Sequence, residues 1–522
     1  MILAALRTPD IVVLFVYFAL LIGAGFYFRK RSGTVEGFTV ANRSLPGWVV
    51  GLSVFGTYLS SNTFIGVPGK AYGSNWNGFV FSLSLPIAAF IAVKWFVPFY
   101  RQHAGLSAYE HLEKRFGAWA RVYAVVCYLL TQVSRVGTIM FGVSVGLHAL
   151  TGWDIWAIIV VSGFAVTLYT LMGGIEAVIW TDAIQSVVLT VGAAVVVILI
   201  LTDMPEGPGQ AIQLAEEAGK FSLGDFGPSL ASSTFWVMLM YGVIMNLTNF
   251  GIDQNYVQRY HAAESDKAAG RSVWFGSLVY IPVALMFFFI GSILFSYGEA
   301  NPEFLAEVKL EMVAADSPGL AKSSAEAMRL AGELEPSDYG DKVLPHFIAN
   351  KIPAGLAGLL IAALFAAAMS SIDTSLNSSA TIALQDFYRR WARPDADEAQ
   401  SLRFLRVMTV VWGIIGTGVA LAMMGVESIL DAWWKLSGVF AGGMLGLFLL
   451  GFISRRANNA GAVTGATVGL LVILWLTFST GLTGDLAWLR SPFHAHMTSV
   501  IGTLSIFLIG LGASQVFGRK SD

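Results

Sequence analysis

Residues 365–382 read FAAAMSSIDTSLNSSATI, inside a longer apolar stretch. A bare carboxylate in hydrocarbon is costly, so Asp373 needs a physical reason to be there. Ser370, Asp373, Thr374, Asn377 and Ser378 recur at the spacing of one helix face. Ser371 stands beside that face. Ala366, Ala367 and Ala368 leave room for another helix to approach. Hydroxyl, carbonyl and carboxylate oxygens are the ligands that a hard cation such as Na⁺ takes. A hydroxyl ladder around one aspartate suits such an ion. It also suits helices held together by Ser and Thr hydrogen bonds.

A second polar run, Gly56 to Thr63, lies in the middle of SVFGTYLSSNTFIGVPGKAYG (53–73), with GVPG close behind. Gly and Pro there predict a broken helix. Broken membrane helices expose carbonyls to cations and half-helix ends to substrates. The alternative is a plain kink whose freed groups are satisfied by neighbours. Further ionisable residues sit at depth. Asp182, in GGIEAVIWTDAIQSVV, could share a second cation site with Asp373 or form a structural pair. Arg135, in LLTQVSRVGTIMFGVSVG, carries a fork that matches a carboxylate, whether of an internal acid or of a substrate. Asn246, Asn249 and Asp253, in NLTNFGIDQNYVQR, share a face beside Phe250, as for a polyol, a sugar or a structural network. Lys435 is one more candidate, near the end of its segment.

The elements that hold these residues must be membrane spans. Of 522 residues, 55% are hydrophobic and only 13% charged, against roughly 25% in soluble proteins. The mean hydropathy is +0.66. Fifteen tryptophans fit interfacial belts. The net charge of −2 gives no reason to expect nucleic acid as a partner, and the single cysteine, Cys127, excludes an intrachain disulfide framework. With about 20 apolar residues per crossing, thirteen spans are expected near 10–28, 46–72, 78–98, 120–147, 154–173, 176–202, 234–255, 274–297, 354–385, 404–424, 430–452, 460–481 and 497–517. The first is followed by RKR and no small-residue cleavage site, so it is expected to be retained.

Basic residues gather at 29–31, at Arg101, Lys114, Arg115 and Arg121, at Arg259 and Lys267, at Arg389, Arg390 and Arg393, at Arg455 and Arg456, and at Arg519 and Lys520. All fall on one side of that span order. The positive-inside rule makes this side cytoplasmic, with the N-terminus outside and the C-terminus inside an inner or plasma membrane. The longer loops, 203–233 and 298–353, then lie outside, the second as an acidic, partly helical cap. GxxxxGK[ST] and HExxH are absent and no Ser/His pair sits at depth, so neither ATP-driven transport nor an enzyme is expected.

At these residues the chain resembles the sodium/solute symporter family, which includes bacterial sodium/sialic acid and sodium/galactose symporters. The likeness runs over essentially the whole chain. It rests on the broken segment, GGIEAVIWTDAIQ, the DQ-x-x-x-QR run after the seventh span, and AAAMSSxxxxLNS. It implies an all-α membrane protein with a LeuT-type core in a single transmembrane domain, 1–522. Two inverted five-helix repeats, 46–202 and 234–452, would follow an extra first helix, 10–28, and precede two C-terminal helices within 460–517. The family's main Na⁺ site falls on Gly56, Leu59, Ala367, Ser370 and Ser371. A possible second site falls on Asp182, Asp373 and Thr374 with Ser370, where Asp373 departs from the usual hydroxyl. The substrate region falls on Ser60, Thr63, Phe79, Phe81, Ser82, Arg135, Asn246, Asn249 and Trp434. The resemblance implies Na⁺-driven import of a small polar solute by alternating access, with a monomer as the functional unit in the lipid bilayer. Arg135 tilts the expectation toward a carboxylate such as sialic acid or another sugar acid. A neutral sugar or polyol is the alternative.

Overall fold

An α-helix rises 1.5 Å per residue, so the 48 residues of Ile155–Thr202 would reach about 72 Å if straight. That is more than twice the hydrocarbon core of a bilayer. Gly174, at φ 54° and ψ −156°, interrupts the run. Tyr169, before the interruption, bonds Asp373, and Asp182, after it, shares Arg259 with Thr374. The chain therefore turns back at Gly174, and its two halves are the fifth and sixth spans, divided between the expected ranges 154–173 and 176–202. Any side chain at 174 would meet the Phe38 backbone at 2.9 Å.

The computed structural model describes residues 7–59, 62–103, 105–317, 320–425 and 443–517. Among them there is no strand; Leu45 and Ala263 form an isolated bridge. Ten described helices are long and apolar enough to cross a membrane, and Ile155–Thr202 counts twice. One more span, second in chain order, is broken into Gly47–Tyr58 and Val67–Gly73. The eleventh is described only over Met444–Ile453, and the rest of its expected range lies outside the described residues. The described residues thus account for twelve of the thirteen expected spans and for part of the eleventh in chain order.

The ninth span, Leu356–Ile382, is the most enclosed of the ten: every residue from Leu360 to Ile382 is buried. Its ladder is met on several sides. Tyr128 of the fourth span donates to Ser378, Tyr169 to Asp373, and Gln258 to Asn377. The seventh span also breaks. Helix Phe235–Ile252 ends at Asp253, which is extended (φ −77°, ψ 119°) and starts helix Gln254–Ala262. The loop 298–353 carries three helices. The last, Pro336–Lys351, packs Gly340 against Gly69 of the broken second span, so the loop caps that half-helix.

Candidate ion and substrate site

The last carbonyls of a helix have no partner within it. At the end of Gly47–Tyr58 this leaves a row of oxygens to satisfy. Thr57 O accepts from Arg135 Nη2 at 3.3 Å and Tyr58 O from Thr63 Oγ1 at 3.4 Å. Gly56 O takes the Leu59 N–H at 3.0 Å. Across the gap, Ser370 Oγ stands 3.5 Å from Gly56 O and 3.3 Å from Ala367 O, and Ser371 Oγ stands 3.5 Å from Leu59 O. Such separations are long for O–H···O bonds, which cluster near 2.7–2.8 Å. They fit a shared cation. Oxygens about 2.4 Å from a hard cation and at right angles to one another stand about 3.4 Å apart. The five expected ligands thus come together with spacing and chemistry that fit Na⁺.

The seventh span's break answers the same problem differently. Tyr260 donates to Phe250 O at 2.8 Å, Tyr100 to Gly251 O at 2.6 Å, and Tyr109 to Ile252 O at 2.9 Å. These carbonyls are filled by tyrosine hydroxyls, so this break offers a cation no comparable set. Close approach at the first break depends on Gly56. A Cβ there would sit 2.5 Å from Ser186 Oγ and 3.3 Å from Asp182 O.

Asp182, Asp373 and Thr374 are also brought together, but around a guanidinium. Arg259 Nη2 lies 2.6 Å from Asp182 Oδ2 and 2.8 Å from Thr374 Oγ1; its Nε donates to Ser53 Oγ at 2.8 Å. Ser53 in turn donates to Asp182 Oδ2 at 2.6 Å. Arg259 is fully buried, which corrects its expected place among exposed basic loop residues. The polar run DQNYVQRY reads as loop because its partners are distant in sequence. Asp373 accepts from Tyr169 Oη at 2.6 Å, and Asp182 Oδ1 has no hydrogen-bond partner among the described residues. Arg259 therefore pairs with Asp182, while Asp373 is held by Tyr169 and the Thr374 N–H, and the guanidinium stands where a second cation was expected.

Arg135 joins the two breaks. Besides Thr57 O, its Nη1 lies 3.7 Å from Asp253 Oδ2, an ion pair beyond hydrogen-bond reach. Asp253 Oδ1 accepts the Asn255 N–H at 2.8 Å, capping the half-helix. The two side chains keep 19% and 12% of their exposure, so water reaches this depth. Of the other expected substrate residues, Thr63 and Ser82 both face Tyr280. Asn249 lies beside Tyr58, whose ring packs on Tyr280, Tyr256 and Phe250 at 5.2–5.8 Å. These tyrosines are what the sequence reading missed; Tyr58 directly precedes the break. Phe79 packs on Phe288 and Trp76, and Phe81 on Tyr241. Asn246 is turned away into packing: fully buried, it donates to Ser84 Oγ at 2.9 Å and ties the third span to the seventh. Ser60, Trp434 and Lys435 lie outside the described residues.

A helical membrane protein in which a broken span meets an enclosed serine pair, with a water-reached guanidinium beside it, is built as an ion-coupled transporter rather than an enzyme. The chain belongs to the sodium:solute symporter family, whose model matches residues 38–469. It is 32% identical to the sodium/sialic acid symporter NanT of Aliivibrio fischeri over 514 residues, 98% of this chain and 94% of that one. It is 32% identical to the sodium/sialic acid symporter SiaT of Proteus mirabilis over 510 residues, 97% and 94% of the two chains. A solved substrate-bound, outward-open Na⁺-coupled sialic acid symporter superposes with a TM-score of 0.85 at 30% identity, covering 98% of each chain. The fold is therefore LeuT-type, and the protein is a sodium-coupled symporter integral to a membrane.

Proposed function

We propose that this protein imports a small carboxylate-bearing solute, sialic acid or a related sugar acid, together with Na⁺ by alternating access. The observation that carries the reading is Arg135, a water-reached guanidinium at membrane depth between the two helix breaks. Na⁺ binds Gly56, Leu59 and Ala367 through carbonyls and Ser370 and Ser371 through hydroxyls. Bound there, it holds the broken span against the ninth and so raises affinity for the solute, which by linkage raises affinity for Na⁺. A second Na⁺ at Asp182, Asp373 and Thr374 would have to share the Asp182 and Thr374 oxygens with Arg259. The basic end faces the cytoplasm, and Na⁺ and solute enter from the outer face.

The test is uptake of labelled sialic acid into proteoliposomes with Na⁺ or choline outside. Uptake should require Na⁺ and fall to background in Arg135→Ala. Equal uptake in choline would overturn the coupling. The Asp253 pair favours one other reading, a neutral sugar or polyol, since Arg135 already has an acid beside it. In that case Arg135→Ala would only dent transport of the neutral solute.

A further inference from the structure

Away from the transport path, two adjoining grooves of about 610 Å³ each open on the basic end of the tenth span, Glu398–Ala422, and share Val407 as a wall. Arg393 and Arg403 line one; Arg29 and Arg406 line the other. None of these four guanidiniums has an ion pair among the described residues. At the same end Arg31, Arg121, Arg389 and Arg390 pair with Glu176, Asp386, Glu398 and Glu113. The one acidic side chain in either lining, Asp397, is turned to cap its helix, accepting the Gln400 N–H at 2.7 Å. The linings together carry a surplus of positive charge with no protein partner.

The second groove's remaining walls are apolar: Leu171 and Met172 from the fifth span, Val410 and Val411 from the tenth. Val407 is 53% exposed and Ile414, two turns further along the same helix face, 67%. An apolar track thus leads from the arginines toward the middle of the membrane. Trp391, 52% exposed with Arg390 lying 4.6 Å over its ring, marks the interfacial level beside the grooves. A free phosphate or nucleotide would have no use for that track, and a soluble protein could not follow it into hydrocarbon. An anionic phospholipid uses both parts, with its phosphate on the arginines and its acyl chains along Val407, Val411 and Ile414.

We propose that this double groove is a binding site for an anionic phospholipid, distinct from the transport site. The test uses the purified full-length protein in detergent, with thermal unfolding followed as lipid is added. Phosphatidylglycerol should raise the midpoint by several degrees, while phosphatidylcholine and glycerol 3-phosphate should leave it in place. Arg403→Gln/Arg406→Gln should lose at least half of the shift. Arg455→Gln/Arg456→Gln, which removes the same charge from another exposed site at the same end, should keep it. Val407→Asn should weaken the shift with the arginines intact. Native mass spectrometry counts the retained lipid and stays readable if a variant's own midpoint moves. No phosphatidylglycerol shift in the unaltered protein would overturn the proposal, as would an equal shift in the Arg403/Arg406 variant. An equal response to phosphatidylcholine would reduce the effect to bulk lipid, and one to glycerol 3-phosphate would make it a phosphate site; either defeats the proposal.

Discussion

Asp253→Asn should tighten binding of an acidic solute. Asp253 is the anion that Arg135 faces when no substrate carboxylate is present, so a substrate must displace it or bind beside it. At 3.7 Å the pair's Coulomb attraction is about 4.5 kcal/mol with an effective dielectric constant near 20. Three facts reduce its net worth: both side chains keep some exposure, no hydrogen bond joins them, and Arg135 retains Thr57 O. A net cost to an incoming anion of about 1–2 kcal/mol remains. Its removal predicts about five- to thirtyfold tighter binding. Asparagine keeps the oxygen that caps Asn255, so the half-helix start survives. The assay is calorimetric titration of sialic acid into purified protein in saturating Na⁺, with a neutral sugar as control. The Na⁺ titration without substrate should move far less than the acid's affinity, because Asp253 reaches the five oxygens only through Arg135 and Thr57. Tenfold weaker binding of the acid would refute the reasoning and make Asp253 a positioning residue for Arg135. If Arg135→Gln bound the acid as well as the unaltered protein does, the anion reading itself would fall instead.

Other perturbations follow from the same geometry. Ser371→Ala removes one of the two proposed hydroxyl ligands and should raise the Na⁺ concentration for half-maximal uptake at least about tenfold; an unchanged sodium titration would count against the site. Gly56→Ala puts a methyl 2.5 Å from Ser186 Oγ and should cost about 1–3 kcal/mol of stability, read as a lower unfolding midpoint. Adding Ser186→Ala should recover part of that loss, and no recovery would mean that the strain lies elsewhere. Arg259→Met strands the buried Asp182 carboxylate and should cost about 3–5 kcal/mol. Arg259→Met/Asp182→Asn should unfold at a higher midpoint than Arg259→Met alone, and equal midpoints would separate the two residues.

What the sequence made legible were features with a local period or a local cause. The face of Ser370, Asp373, Thr374, Asn377 and Ser378 shows because helical spacing is fixed. The broken second span shows because Gly, Pro and polar residues cluster where a span should be apolar. The division near Gly174 shows because the apolar run 154–202 is too long for one crossing. Arg259 was not legible. Its partners are Ser53, Asp182 and Thr374, separated from it by 206, 77 and 115 positions. Nothing near it in the chain tells a buried guanidinium from a loop one. Asn246 failed for the opposite reason: it shares a face with Asn249, but the close approach of the third span claims its amide for Ser84.

Both the second and the seventh spans break, and the two breaks differ in the side chains that reach their carbonyls from elsewhere. Tyrosines 100, 109 and 260 occupy the carbonyls before Asp253, so that break is fixed by the protein alone. At the first break the serines stand 3.5 Å from Gly56 O and Leu59 O, the spacing that the proposed Na⁺ would fill. Thr57, between those two carbonyls, gives its own to Arg135, and Arg135 also faces Asp253 at the other break. An ion that fixes residues 56–59 therefore fixes one of the anchors of the guanidinium. A carboxylate that draws the guanidinium away from Asp253 pulls on the same segment. Coupling between cation and solute then needs no path longer than one residue of backbone, and by reciprocity each should bind more tightly in the presence of the other.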